Sequence, residues 1–292
     1  MRQRPLHLTL LRCLVAGVAT LPSVAFAWGT EGHKIVATIA AHRLNAHATA
    51  AVKRILKNDT TGHTLPAVAV WADTVRKGRP TTYNWHFADI DVTKSAFDDA
   101  DCHPANEAQK GDCIINALTR EVPKLTKKGV SAPQRAEALK FVTHFIGDLH
   151  QPLHCAERNK DRGGNDVTVT FFGQTNEPPP FQKYLWNLHA AWDFGLIEHA
   201  GGTQAAYVTR LETWIGTQNV SGIESGTFVD WANESHAAAV AHAYKTPNGS
   251  ADFPATGGTI EQPYYDANIG IVDQQLAKAG VRLAKVLNDA FP

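Results

Sequence analysis

A mainly α-helical fold, one domain with at most a small β-hairpin, follows from three features of this sequence. Apolar residues recur at three- and four-residue spacing along most of the chain. Stretches of strand character are short: Val167–Phe172 alternates β-branched and aromatic residues and reads as half of a small hairpin. No internal repeat, long linker or block of like charge divides the chain. Helices packed around one core are the expected architecture.

The first segment stands apart. Arg2, Arg4 and Arg12 are followed by an apolar run and by Ala25-Phe26-Ala27, an A-x-A cleavage pattern, so Met1–Ala27 reads as a secretory signal. Its apolar part is short for a membrane span and no later stretch qualifies. The expectation is an exported monomer, periplasmic or secreted and not membrane-bound, that begins at Trp28 and keeps 265 of the 292 residues.

Trp28–Ala46 has helical periodicity through Ile35, Ile39 and Leu44, Thr49–Leu56 is a second short helix, and Leu65–Arg76 is a third with Pro66 near its start. Tyr83–Asp91 alternates and reads as extended, and residues 94–111 form a loop. Ile114–Lys127 and Pro133–Gln151 are helices, the second opened by Ser131 as cap and ended by Pro152. Asn159–Asn165 is a turn-rich loop and Pro178–Pro180 breaks the chain. Tyr184–His199, Thr203–Thr217, Phe228–Ala243 and Ile269–Asn288 complete the helices.

Charge narrows the function classes. The whole chain balances 28 basic against 28 acidic residues, and loss of the signal arginines leaves it near −3. A histone-like basic surface is excluded. A nucleic-acid substrate is not, because bound divalent ions supply positive charge that composition does not count. Of the four cysteines, Cys13 leaves with the signal. Cys102 and Cys113 bracket a polar loop and are expected to pair in an oxidising compartment. Cys155 is then the odd one out and is read as a buried free thiol, with a ligand role as the lesser alternative.

The chemistry-bearing stretch is FVTHFIGDLHQPLH, residues 141–154. His144 and Asp148 are four apart, one turn above the other on a helix. The pattern repeats in NLHAAWDFG as His189 and Asp193. His150 is rotated about 240° from His144 and faces away, so it is read as structural. His154 lies beyond Pro152, where no helical wheel places it. His33 sits beside Gly29 and Gly32, whereas His42, about 180° round the helix, is a surface or core residue. Asp73 lies on an apolar helix with Arg76 three residues on, and His86 sits between Trp85 and Phe87. Any one of these taken alone is more often a satisfied core residue. Together, buried and unpaired, they would be costly, and metal ligation is the common explanation. Imidazole and carboxylate without a thiolate set favour catalytic zinc. If cleavage exposes Trp28, its amine and carbonyl can chelate an ion with His33; a frayed chain end is the alternative.

The motifs WGTEGH (28–33), WAD (71–73) with Arg76, WHFADI (85–90), HFIGDLHQPLH (144–154), GGN (163–165) and NLHAAWD (187–193) occur in one order over residues 28–193. In these the sequence resembles the zinc-dependent S1/P1 nucleases, which share a helical fold with zinc phospholipase C. The resemblance implies three zinc ions per chain. Asp73, His86, His144 and Asp148 would hold one; the Trp28 amine and carbonyl, His33 and a bridging Asp148 a second; His154, His189 and Asp193 the third. It implies that Phe87 stacks on a nucleobase whose edge Asp89 and Asn165 read, and that Asp73 and Arg76 serve the reaction. The substrates implied are single-stranded DNA and RNA, cut to 5′-phosphates, with 3′-nucleotides as further substrates. A zinc phospholipase C and a zinc-binding protein without catalysis are the competing readings. A zinc protease lacks its H-E-x-x-H helix here.

Overall fold

The structure, a computed structural model, describes residues 28–102 and 112–292. The expected signal segment and the middle of the loop between the two cysteines lie outside the described residues. The core is a layer of helices around one that is buried on all sides. This helix, α6 (Ala132–Leu149), opens with a capping box: the Ser131 hydroxyl accepts from the Gln134 backbone and the Gln134 side chain turns back to residue 131. From Ala138 to Leu149 every residue is buried, the mark of a helix at the centre of a core. Leu139, Phe141, Val142, Phe145, Ile146 and Leu149 supply on the order of 10 kcal/mol of gross apolar burial. That surplus lets the helix carry His144, Asp148 and His150 inside.

Around it run α1 (Thr30–Arg43), α2 (Ala46–Ile55), α5 (Ile114–Glu121), α9 (Gln204–Ile215), α11 (Phe228–Ala238) and the long α12 (Gln262–Ala290). α1 and α12 pack so closely that a Cβ on Gly280 would lie 2.5 Å from the Ile39 side chain. Only a glycine allows that crossing.

Three local expectations are corrected. The helix expected over Leu65–Arg76 is broken into α3 (Leu65–Val68) and α4 (Trp71–Arg76). The break turns the Ala69 carbonyl away from a helical ladder, and the His144 Nδ1 takes it at 2.7 Å. Tyr83–Asp91 is not extended throughout. Pro80–His86 is a 3₁₀ helix, begun by the fixed φ of Pro80, and the chain extends only from Phe87. The alternation that suggests a strand is a burial pattern instead: Thr82, Asn84, His86, Ala88 and Ile90 are buried and the residues between them less so.

The expected hairpin is the third correction. Val169–Phe171 pairs in parallel with Gly258–Ile260, nearly ninety residues on. The returning segment makes only isolated bridges, such as Asn176 with Leu185, because the Pro178–Pro180 run supplies no ladder donors. Residues 184–187 are consequently not helical. The helix begins at α7 (Leu188–Ala190), capped by the Asn187 side chain at 2.8 Å from the Ala190 amide. It widens into a π turn at Ala191–Gly195 and continues as α8 (Leu196–Ala200).

The Cys102–Cys113 disulfide is formed and Cys155 is a buried free thiol. The disulfide has a positional consequence. Next to it the Asp89 amide donates to the Asp101 carbonyl, and the Ile114 amide to the Phe87 carbonyl at 3.0 Å. The segment bearing Phe87 and Asp89 is thus held between the two ends of the bridged loop.

Candidate metal centre

α6 presents His144 and Asp148 on one side, one turn apart. The Asp148 carboxylate is divided between two sets of imidazoles. Its Oδ1 lies 3.1 Å from His33 Nε2, and its Oδ2 lies 2.9 Å from His86 Nδ1 and 3.2 Å from His144 Nε2. Asp73, from α4, closes the second set at 3.5 Å from His144 Nε2 and 3.6 Å from His86 Nδ1. Every one of these side chains is nearly or wholly buried.

His86 Nδ1 is hydrogen-bonded to Asp148 Oδ2 at 2.9 Å, but several of the neighbouring atoms make no hydrogen bond. His33 Nε2 and Asp148 Oδ1 are buried, face each other, and neither makes a hydrogen bond; Asp73 Oδ1 and His86 Nε2 are likewise buried without one. His144 Nε2 and His86 Nδ1, two ring nitrogens, sit 3.2 Å apart. Donor atoms converging on a shared point, with their own bonds unmade, are what a cation would satisfy.

A second group is built on loops. His154, His189 and Asp193 meet with His189 Nε2 at 3.1 Å from His154 Nε2 and 3.3 Å from Asp193 Oδ2. The π turn sets the register of Asp193 relative to the helix that carries His189. In each of three rings the far nitrogen is fixed by a backbone carbonyl at 2.7 Å: His144 by Ala69, His154 by His86, His189 by Gly163. The Nδ1–H then donates outward and Nε2 is left bare toward the centre, as for ligating histidines in general. The Gln151 amide donates to Asp193 Oδ1, and the Gly29 amide donates to the Asp193 carbonyl at 2.7 Å. This last bond ties the segment next to Trp28 to the second group. Trp28 itself is fully buried, packed on Gly32 and beside Gly147.

Electrostatics agree with two kinds of centre. At Asp148, burial opposes the charge, yet His144 and the other imidazoles hold the carboxyl well below its usual range. Burial also opposes charge on His144, but Asp148 and Asp73 raise it to about 10. In the second group burial dominates: it lowers His154 and, with His154 beside it, His189, while it pushes Asp193 well up.

Comparison with known proteins decides the family. The S1/P1 nuclease family model matches residues 28–292. The chain belongs to the S1/P1 nuclease family. It is 29% identical to endonuclease 2 of Arabidopsis thaliana, over 99% of both chains. It is also 29% identical to nuclease P1 of Penicillium citrinum, over 90% of this chain and 97% of that protein. Nuclease S1 of Aspergillus oryzae is 27% identical, over 94% and 95%. This chain is a phosphodiester hydrolase of the S1/P1 type, from a metal-dependent family, and the three His/Asp triads His33–Asp73–His144, His86–His144–Asp148 and His154–His189–Asp193 are its candidate metal-binding groups.

In this S1/P1 nuclease the expected ligand-type residues other than Trp28 fall into these two adjoining clusters. Arg76 lies with its guanidinium 4.0 Å over the Tyr83 ring, near enough to lower His86, after burial, to about 4. Phe87 is half-buried, edge-on to Tyr83 at 5.9 Å. Asp89 is raised to about 7 by burial and by the neighbouring Glu157 and Asp101 carboxylates. Asn165 lines a cleft that also reaches His189 and Asp193. Sequence reasoning misses the orienting groups: the Ala69 and Gly163 carbonyls carry no side-chain signal, and Gln151 looks like a helix-end residue. No helix of the described residues is long and apolar enough to cross a membrane.

Proposed function

We propose that this chain is an exported zinc nuclease that cuts single-stranded DNA and RNA to 5′-phosphate products and also removes phosphate from 3′-nucleotides. Met1–Ala27 is its signal and Trp28 its mature first residue. The observation that carries this reading is the Asp148 carboxylate, divided between His33 on one oxygen and His86 with His144 on the other, with Oδ1 and His33 Nε2 facing each other unbonded. A carboxylate so placed suits a bridge between two ions. Asp73, His86, His144 and Asp148 would hold one zinc, and His33, Asp148 and the Trp28 amine and carbonyl a second. His154, His189 and Asp193 would hold a third. The donor set, imidazole and carboxylate with the one nearby thiol inert, suits zinc. Burial raises the Cys155 thiol, which points to the Leu149 carbonyl instead.

When bound, the ions supply a water acidic enough to ionise near pH 7 and positive charge for the departing oxygen. The chain does the rest. Asp73 orients the attacking water and accepts its proton. Arg76 neutralises charge that grows on the phosphate oxygens. Phe87 offers an aromatic face to an unstacked base, which favours single strands and tolerates sequence. Asp89 and Asn165 bind the edge of that base.

The test is elemental analysis paired with cleavage of single-stranded DNA, on protein starting at Trp28 and on protein with one residue left before it. About three zinc ions and activity in the first, with one ion and the activity lost in the second, are expected. Equal metal and equal activity in both would remove the amine from the site. No zinc and no cleavage in either would remove the reading.

A further inference from the structure

Beside the His154 group a pocket of about 360 Å³ opens, lined by Asn165, which it shares with the base site on Phe87, but not by Phe87 or Asp89. Its apolar lining is Pro178–Pro180, Phe181 and Phe194. The rest includes carboxylates, Glu31, Glu177 and Glu198. Glu31 and Glu198 stand close enough that the first raises the second, after burial. Glu177 is only 8% exposed, and no hydrogen bond or ion pair among the described residues reaches its carboxylate. None of the lining residues is Lys or Arg.

The pocket borders His189 and Asp193, so a substrate lying over the metal centre meets it. Its charge rules out the backbone of that substrate: a phosphate brought against Glu31, Glu177 and Glu198 would be repelled. Its shape and chemistry suit a base. Proline and phenylalanine faces accept a flat ring, and a buried carboxylate needs a hydrogen-bond donor. Adenine, cytosine and guanine bring one in their exocyclic amines. Uracil and thymine carry a carbonyl oxygen at the exocyclic position that faces the acid, and their one edge donor, N3–H, is recessed between two carbonyls.

We propose that this pocket is a second base subsite, for the nucleoside across the scissile phosphate from the one on Phe87, and that Glu177 selects there a base bearing an exocyclic amine. The proposal rests on the nuclease reading above. Phe87 then grips one base by stacking, with Asp89 and Asn165 at its edge, and Glu177 adds a preference of its own at the neighbouring base.

Dinucleoside monophosphates test this directly. The first base is kept as adenine and the second is adenine, cytosine, uracil or 2-pyrimidinone, the cytosine analogue that lacks only the amine. Assays use the zinc-loaded full chain at pH 8, above the value of about 7 to which burial raises the Glu177 carboxyl. For the wild type, kcat/KM is expected to be about tenfold higher with adenine or cytosine than with uracil, and 2-pyrimidinone should behave as uracil does. Glu177→Gln, which both donates and accepts, should bring the ratio within about twofold. Equal rates for cytosine and 2-pyrimidinone in the wild type would overturn the subsite even if no variant folds. So would a preference that survives Glu177→Gln. A metal-loaded wild type that leaves all four dinucleotides intact would overturn the nuclease reading and the subsite together.

Discussion

On one side of α6, His144 and Asp148 meet His33, His86 and Asp73 across gaps of 2.9 to 3.6 Å, with several of the facing atoms unbonded. Just past the end of the same helix, on the opposite side, His150 is as deeply buried and is fully satisfied. Its Nδ1 donates to the Ile146 carbonyl at 2.7 Å, and its Nε2 accepts from Arg282 at 2.9 Å. Arg282 in turn donates to Glu234 at 2.6 Å and to the Ile223 carbonyl at 2.8 Å. Burial, residue type and helix are shared by the two sides. What separates them is whether the protein completes the hydrogen bonds itself. Where it does, the group holds helices together; where it does not, the group waits for a ligand.

The sharpest way to break that distinction is Asp148→Asn. Loss of the divided carboxylate should lower kcat/KM by at least about 10⁴-fold and remove about two of three ions. Elemental analysis beside the assay checks it, and full zinc content would refute the bridging role. On the opposite side, Arg282→Met leaves His150 Nε2 and the Ile223 carbonyl without their donor, while Glu234 keeps Lys278. With two buried acceptors left unsatisfied, a stability loss of about 2–4 kcal/mol in a urea melt is expected, with metal content per folded chain unchanged. A fall in metal content would show that the two sides are not separable.

A smaller effect is expected from Gly163→Ala. Gly163 has φ +61°, and a Cβ there would lie 2.3 Å from the Leu153 carbonyl and 3.3 Å from His189 Nδ1. Displacing its carbonyl should weaken the ion at His154, His189 and Asp193 by about 10–100-fold, read by competition with a chelator. The other ions should stay.

The mildest effect is expected at Asp89, a buried acid whose side chain no hydrogen bond among the described residues reaches. Burial first, then Glu157 and Asp101, raises its carboxyl to about 7. A folded-state value above the unfolded one stabilises the protein fully below about pH 4, and that contribution is lost as pH rises toward 7. Asp89→Asn should therefore be more stable than the wild type at pH 8 by on the order of 1–2 kcal/mol, the gap narrowing as pH falls below about 7 and closing near pH 4. Paired melts across that range check it; a gap that does not change with pH would deny the shift.

The sequence by itself determined what is written in local spacing. The i,i+4 pairs His144/Asp148 and His189/Asp193 share helix faces because the helical period puts them there. Ser131 caps α6 and His150 points away for the same reason. The Cys102–Cys113 bond needed only two cysteines near in sequence and an oxidising compartment. Tertiary structure alone decided the rest. Breaking Leu65–Arg76 at Ala69 costs local helix and is repaid only by His144, seventy-five residues away. Pro80–His86 winds from the fixed φ of Pro80, and the alternation that reads as a strand records burial that the rest of the fold imposes. Val169–Phe171 finds a parallel partner at Gly258–Ile260 that no turn signal links to it. The Glu177 pocket joins a proline loop to α1 and α8. Long-range pairing is settled by which surfaces fit and which hydrogen bonds remain open, and neither leaves a period in the chain.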